Sequence, residues 1–224
     1  MKGNLIQIDS KPQNCRSFSN HSLLKSKKMF NFASSFNFMD ESYLMNEVKI
    51  HDKVFIPYIA FEEIDYAIRR MANTIYEEYK NEVPVFVGVL NGVVMFMSDF
   101  LKRYPGECEI SFLKLKSYEG TESTGKVEIV MDIPMDLTGR HVVIMEDIID
   151  TGNTLQELYR ILETKNTKSI KVATLLYKPD AYKKDLNIDL IALTIPDKFV
   201  VGYGLDYDGL GRNLPDIYQI KTEE

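Results

Sequence analysis

The stretch HVVIMEDIIDTGNTL, residues 141–155, is the most informative part of this chain. Its first part, His141–Met145, is an almost unbroken apolar run, as expected of a strand that is buried on both faces. A helix is predicted from about Thr154 to Glu163. A buried strand that leads into a helix through a short polar loop is the building unit of an α/β protein.

The same alternation of strands and helices continues through the chain from residue 46 onward. A second apolar run, VPVFVGVL at 83–90, is followed by a segment at 93–104 that can form a helix. An earlier helix is indicated by apolar residues at helical spacing, namely Ile64, Ile68, Met71 and Ile75. Further strands are predicted at 108–117, 126–133, 169–178 and 188–196. Because the connections are short, we predict an α/β fold with a mainly parallel central sheet flanked by helices.

Composition and charge limit the partners of this protein. The chain has 224 residues, of which 45% are hydrophobic and 27% charged, as in a globular domain with a sizeable core. A net charge of −6 argues against nucleic-acid binding, and no apolar run is long enough to span a membrane. The two cysteines form neither a disulfide framework nor a metal-ligand spacing, so we expect a reducing, cytoplasmic location.

Residues 1–45 differ from the rest of the chain. They are rich in Ser, Asn and Lys and show no sustained hydrophobic period. We expect a disordered leader, or a leader that precedes a later start at Met39 or Met45. A targeting segment and a partner-binding arm remain alternatives. The folded, catalytic domain is predicted to comprise residues 46–224.

The loop DTGNT has the features of an anion site. Gly152 permits a tight turn and a close approach of the backbone, and Thr151 and Thr154 carry hydroxyl groups. The N–H groups and the dipole at the start of the following helix favour a bound anion such as a phosphate monoester. The alternative is an ordinary turn in which Thr154 caps the helix.

Two adjacent acids precede this loop, at Glu146 and Asp147, where the apolar run ends. Charge at such a position is costly unless a ligand uses it. Carboxylates accept hydrogen bonds from sugar hydroxyls and can also bind Mg²⁺. A sugar phosphate satisfies both features, because its phosphate would enter the loop while its hydroxyls meet the acids.

At this point the sequence resembles a known family. VVIMEDIIDTGNTL resembles the phosphoribosyl-pyrophosphate motif of type I phosphoribosyltransferases. Over residues 46–224 the chain is more narrowly similar to bacterial hypoxanthine(-guanine) phosphoribosyltransferases, through the segments VLNG, LKLKSYEGTESTG, EDIIDTGNT with LLYKPD, and IPDKFVVGYGLDYDGLGRNLPDIY. The resemblance implies the type I phosphoribosyltransferase fold, in which N-terminal and C-terminal segments form a small hood.

The resemblance also implies a reaction. Hypoxanthine or guanine and 5-phosphoribosyl 1-pyrophosphate would give IMP or GMP and pyrophosphate, with Mg²⁺ as the cofactor. Asp150 matches the acid that transfers a purine proton, although it could instead only cap the loop. Glu146 and Asp147 match the residues at the ribose hydroxyls, and Asp147 also matches a metal ligand. The residues that match the 5′-phosphate loop are Thr151, Gly152, Asn153 and Thr154.

Four further residues match the purine site of the family. Lys178 matches the donor to the exocyclic O6, which favours 6-oxopurines over adenine, although a solvated lysine at a strand end is the alternative. Phe199 matches the ring that stacks on the base, and taken alone it could equally be a core residue. Val200 matches a residue whose backbone groups face the base edge. Asp206 matches an acid associated with both the purine and the Mg²⁺.

The remaining matches concern the pyrophosphate and a flap. Asn91 and Gly92 correspond to the pyrophosphate loop, where many relatives carry Lys in place of Asn91 and have a cis peptide bond. Arg212 matches a contact to the pyrophosphate. Ser117 and Tyr118 begin a segment that matches a flap closing over the reaction, for which a plain hairpin loop is the alternative.

Other functions stay open from the sequence alone. The chain could be a xanthine- or adenine-specific transferase of the same superfamily, or a non-catalytic regulator that binds phosphoribosyl pyrophosphate. The partners expected are small-molecule substrates, a purine base and phosphoribosyl pyrophosphate. By similarity to the family, we expect a homodimer or a homotetramer.

Overall fold

The computed structural model describes residues 46–117 and 127–222. The strands are β1 (Val48–Ile50), β2 (Lys53–Ile59), β3 (Val85–Leu90), β4 (Glu109–Ser117), β5 (Val127–Met131), β6 (His141–Ile149), β7 (Ser169–Tyr177), β8 (Leu190–Thr194), β9 (Val200–Val201) and β10 (Ile217–Ile220). The helices are α1 (Phe61–Tyr79), α2 (Val94–Arg103) and α3 (Asn153–Glu163). Among the described residues, none of the helices combines the length and the hydropathy of a membrane span.

The central sheet has six strands in the order β5-β4-β3-β6-β7-β8. Strands β4, β3, β6, β7 and β8 pair in parallel, and β5 pairs antiparallel with β4 at one edge. Helix α2 connects β3 to β4, and α3 connects β6 to β7. The prediction of a mainly parallel sheet flanked by helices is therefore confirmed.

The two faces of the sheet carry separate apolar cores. On β6, Val143 and Met145 belong to the core that includes α1 and α2, whereas Val142 and Ile144 belong to the core that includes α3. This division follows from the period of two in a strand, which sends successive side chains to opposite faces. The predicted helical face of α1, made of Ile64, Ile68, Met71 and Ile75, is buried in the first core.

Strand β6 is longer than predicted. The sequence suggested that it ends at Met145, but it continues through both acids to Ile149. Pairing with β7 is maintained along this extension, where Glu146 lies opposite Thr174 and Ile149 opposite Tyr177. Apolar residues beyond the acids keep the backbone in the sheet, so the carboxyl groups project from a rigid strand instead of a loop.

A second, antiparallel sheet forms the expected hood, with the order β1-β2-β10-β9. It joins the segment before α1 to the end of the described chain, around a small core that contains Phe55, Val201 and Tyr218. The buried Asp216, just before β10, accepts a hydrogen bond of 2.8 Å from the backbone N–H of Phe61 at the start of α1. The hood is thereby tied to the first helix of the core.

Candidate active site

The ends of β3 and β6 lie side by side at one rim of the parallel sheet. The loop after β3 passes so close to Asp147 that a Cβ on Gly92 would lie 1.5 Å from its Oδ2 atom. The Leu90–Asn91 peptide bond is cis, as the resemblance to the family implies for this loop. Asn91 is exposed and Gly92 is buried. A cavity of about 310 Å³ is lined by this loop, by the start of α3, and by Glu146, Asp147, Asp206 and Arg212 among others.

Glu146 and Asp147 form a coupled acidic pair on the floor of this cavity. Glu146 is buried, and burial together with the neighbouring charge of Asp147 raises its pKa well above the ordinary value. Burial also raises the pKa of Asp147 to about 6, although hydrogen bonds from backbone amides and the charge of Arg212 act in the opposite direction. Since both pKa values are raised, the ligand-free pair gives up its protons less readily than two exposed carboxyl groups would.

The phosphate-loop residues surround an adjacent cavity of about 200 Å³, which Glu146 and Asp150 also line. Gly152 has φ of +83° and precedes α3, which begins at Asn153. No side chain caps this helix, and the first N–H to bond back within it belongs to Gln156. The alternative in which Thr154 is the cap is therefore wrong. The free amides at the start of α3 face a space that suits an anion.

Lys178 follows β7 and places its ammonium between two carboxylates. Its Nζ lies 2.9 Å from Oδ2 of Asp150 and 3.2 Å from Oδ1 of Asp197. The lysine side chain is only 8% exposed, whereas those of Asp150 and Asp197 are 44% and 59% exposed. The alternative of a solvated lysine at a strand end is wrong, because an almost buried ammonium is directed at the predicted proton-transfer residue.

Phe199 lies just before β9 and is 45% exposed, which is unusual for a large apolar ring. The edge of Tyr207 packs against it at 5.7 Å between ring centroids, and Phe55 packs at 6.2 Å. These neighbours hold the ring while part of it stays open to a ligand. Val200, the next residue, is buried and pairs with Gln219 of β10.

Asp206 and Arg212 form an ion pair of 2.5 Å at the wall of the larger cavity. Arg212 also donates a hydrogen bond of 2.7 Å to the carbonyl of Gly204, and Asp206 accepts one of the same length from the N–H of Gly209. Both side chains are thus oriented before any ligand arrives. The guanidinium lies close enough to Asp147 to lower the pKa of that carboxyl.

Two expectations concern residues at the limit of the described chain. Ser117 ends β4, and Tyr118 lies outside the described residues, as does the predicted flap that continues from it. The leader at 1–45 also lies outside them. Within the described ranges, no group of three or more His, Cys, Asp or Glu could by itself hold a metal ion.

Sequence reasoning missed two residues that shape the site. Asp197 lies in the quoted motif IPDKFVV, but its contact with Lys178 depends on how the ends of β7 and β8 meet. Gly204 lies further along the same quoted segment, and a Cβ there would lie 2.0 Å from the carbonyl oxygen of Gly92. Its φ of +100° belongs to the region that favours glycine. The neighbouring Tyr203 donates a hydrogen bond of 2.6 Å to Asp99 of α2, which ties this loop to the helix after Gly92.

Comparison with known proteins agrees with this geometry. Residues 60–208 match the model of the phosphoribosyl transferase domain. A hypoxanthine-guanine phosphoribosyltransferase of Staphylococcus epidermidis is 44% identical over 163 residues, which are 72% of this chain and 91% of that protein. The chain therefore belongs to the phosphoribosyltransferase family, a family of transferase enzymes.

Solved structures give the same result. The crystal structure of a hypoxanthine phosphoribosyltransferase from Staphylococcus aureus superposes with a TM-score of 0.71 and 39% identity, covering 74% of this chain and 90% of that one. A hypoxanthine phosphoribosyltransferase from Trypanosoma cruzi, in complex with the product IMP, superposes with a TM-score of 0.70 and 32% identity, covering 78% of this chain and 97% of that one.

Proposed function

We propose that this protein is a purine salvage enzyme. It transfers the phosphoribosyl group of 5-phosphoribosyl 1-pyrophosphate to hypoxanthine and guanine, giving IMP or GMP and pyrophosphate. The observation that carries the proposal is the position of the Lys178–Asp150 pair. Asp150 lines a cavity that also contains the buried Glu146 and the uncapped amides at the start of α3. Relatives that are 40% and 44% identical to this chain, over 91% of their own length, are named hypoxanthine-guanine phosphoribosyltransferases.

The acid pair and the loop after it would bind the sugar phosphate. The amides of Asn153 and Thr154 would donate hydrogen bonds to the 5′-phosphate, helped by the hydroxyls of Thr151 and Thr154. Glu146 and Asp147 would accept hydrogen bonds from the ribose hydroxyls. The raised pKa values of the ligand-free pair favour its protonated form. A ligand that donates hydrogen bonds to the two carboxyl groups would stabilise their ionised form when it binds.

The opposite end of the site would bind the base and move its proton. Phe199 offers an open aromatic face on which a flat purine can stack. The ammonium of Lys178 would donate a hydrogen bond to O6, and the backbone of Val200 would face the rest of the base edge. Asp150 would accept the purine proton as the new bond to the ribose carbon forms, which completes general base catalysis.

A divalent metal, which we propose to be Mg²⁺, fits the larger cavity as part of the substrate complex. Mg²⁺ typically keeps several waters and binds one or two carboxylates together with substrate phosphates, so a cluster of three acids is not required. Asp147 and Asp206 line the cavity and would hold it, with Arg212, Asn91 and Gly92 at the pyrophosphate. Bound there, the metal would neutralise charge on the departing pyrophosphate.

A panel of four purine bases tests the proposal and its alternatives together. Purified protein with Mg²⁺ and phosphoribosyl pyrophosphate is incubated with hypoxanthine, guanine, xanthine or adenine, and the nucleotides are separated. We expect IMP and GMP, and little AMP because the amino group of adenine would face the ammonium of Lys178. A product from adenine or xanthine alone would favour one of the other transferases. No product from any base would favour a regulator.

The same proposal extends to the organisation of the protein. Residues 46–224 would form the catalytic domain, and residues 1–45 a leader that the reaction does not need. Similarity to the family supports a homodimer or homotetramer, and the low cysteine content supports a cytoplasmic enzyme.

A further inference from the structure

The carboxylate of Asp197 approaches the base end of the site, yet the proposed mechanism does not use it. It lies 3.2 Å from Nζ of Lys178, on the same ammonium that contacts Asp150 at 2.9 Å. An ammonium has three N–H donors, of which these two bonds take two. The third is left for an acceptor on the base, so the two acids together set the direction in which Lys178 points.

We propose that Asp197 is a positioning residue, which holds the ammonium of Lys178 at the base edge throughout the reaction and makes the site prefer neutral over anionic 6-oxopurines. This inference rests on the proposed function and deepens it. It follows from the chemistry assigned to Asp150. When Asp150 accepts the purine proton, an N–H bond breaks, an O–H bond forms, and the electron pair stays on the ring nitrogen.

That step removes the negative charge that faced Lys178. An almost buried ammonium without a charged partner is strongly unfavourable. The carboxylate of Asp197, 3.2 Å from the ammonium, then serves as its counterion, so Lys178 keeps its direction after Asp150 has accepted the proton. Exposure of Asp197 to solvent allows it to carry this charge without a large desolvation cost.

The cluster of Asp150, Lys178 and Asp197 also carries a net charge, which interacts with any charge on the bound base. Two carboxylates and one ammonium sum to −1 before the proton moves. Hypoxanthine and guanine are neutral near pH 7, whereas xanthine readily loses a proton near neutral pH and then carries a negative charge. Asp197 therefore adds a repulsion that acts on xanthine only. Without Asp197, the remaining pair of Asp150 and Lys178 is neutral and this discrimination weakens.

The test compares Asp197→Asn with Asp197→Glu and with Asp180→Asn as the matched control. Asp180 is an exposed acid two residues after Lys178, and its substitution removes the same charge without touching the ammonium. For Asp197→Asn we expect the KM of hypoxanthine to rise by about three- to tenfold, because Lys178 is held less well. We expect the preference for hypoxanthine over xanthine to fall by about the same factor, a range set by the solvent exposure of the pair. The KM of phosphoribosyl pyrophosphate should stay within about twofold of the wild-type value, because solvent and salt screen the charge of Asp197 at that distance.

Asp197→Glu should recover most of the discrimination, and Asp180→Asn should behave as the wild type. The inference is overturned if Asp197→Asn matches the control, or if it lowers kcat for every base while both KM values and the xanthine ratio stay unchanged, which would indicate a structural role. The activity of the wild type distinguishes a failure of the proposed function from a failure of this inference. A wild type that makes no nucleotide from any 6-oxopurine refutes the proposed function and this inference together, whereas an active wild type with an indifferent Asp197→Asn refutes only the inference.

Discussion

The raised pKa values of Glu146 and Asp147 explain how two acids can lie beside a proposed phosphate site. Glu146 and Asp147 would repel a polyanion if both were fully ionised. Their raised pKa values mean that part of this charge is suppressed in the free protein. Adjacency of the acids and the loop could be predicted from the sequence, because both belong to one short stretch of the chain. Their protonation could not, since it depends on burial by segments distant in the chain.

This suppression predicts a pH dependence of stability. Asp147 keeps its proton up to about pH 6 in the folded protein, whereas the unfolded chain loses it near the ordinary value of 3.8, so the wild type loses stability as pH rises through that window. In metal-free buffer, Asp147→Asn should therefore be more stable than the wild type at pH 8, by about 1–2 kcal/mol after a discount for partial exposure. Denaturant unfolding from pH 4 to 8 measures the difference, which should close toward pH 4. A constant difference across this range would contradict it.

A second prediction at this scale concerns the proton acceptor. Asp150→Asn keeps an oxygen that can accept a hydrogen bond from Lys178 but removes the basic carboxylate. We expect turnover to fall by roughly two orders of magnitude or more, with little change in the affinity for the sugar phosphate. Single-turnover rates and equilibrium binding of IMP separate the two effects. Asp150 would be only a loop cap if turnover stayed unchanged.

Secondary-structure elements position the site through close contacts between loops. The start of α3 was predicted to within one residue, and β3 and β6 were recognised because their apolar runs are continuous. The hood strands were not located. Strand β2 contains Pro57, which argues against a strand with neighbours on both sides. The structure accommodates it beside a register shift in β10, between Ile217 and Tyr218, which is a long-range feature that local sequence cannot show.

The loop before α3 allows a matched test of such contacts. A Cβ on Gly152 would lie 2.6 Å from the ring of Tyr182, whereas Gly139 also has positive φ but has open space around it. Both Gly→Ala substitutions should lose about 1 kcal/mol of stability from backbone strain. Only Gly152→Ala should lose more stability and also bind IMP at least tenfold more weakly, as titration calorimetry would detect, because its loop must move. Equal behaviour of the two variants would contradict this contact.

At the level of the whole molecule, the elements that build both cavities belong to the described part of the chain. Both sheets, the three helices and the two cavities lie within residues 46–117 and 127–222. The leader was expected from composition alone, and the fold of the catalytic part from its periodicity. The hood was expected only from family resemblance, because its strands are short and come from distant parts of the chain.

Deletion of residues 1–44 should therefore leave the transferase activity unchanged. Steady-state kinetics of the truncated and full-length proteins, at matched concentration and with unfolding curves as the control for folding, provide the measurement. A truncated protein that folds but is inactive would show that the leader contributes to the reaction.

The pairing of β2 with β10 has a consequence for how the protein matures on the ribosome. The parallel sheet can assemble as soon as β8 has emerged, because all six of its strands precede residue 195. The sheet that contains β9, next to Phe199, can form only after β10 has emerged and paired with β2 and β9. A nascent chain would thus form the proposed phosphate-binding half first, and the proposed base-binding wall only after β10 has been synthesised.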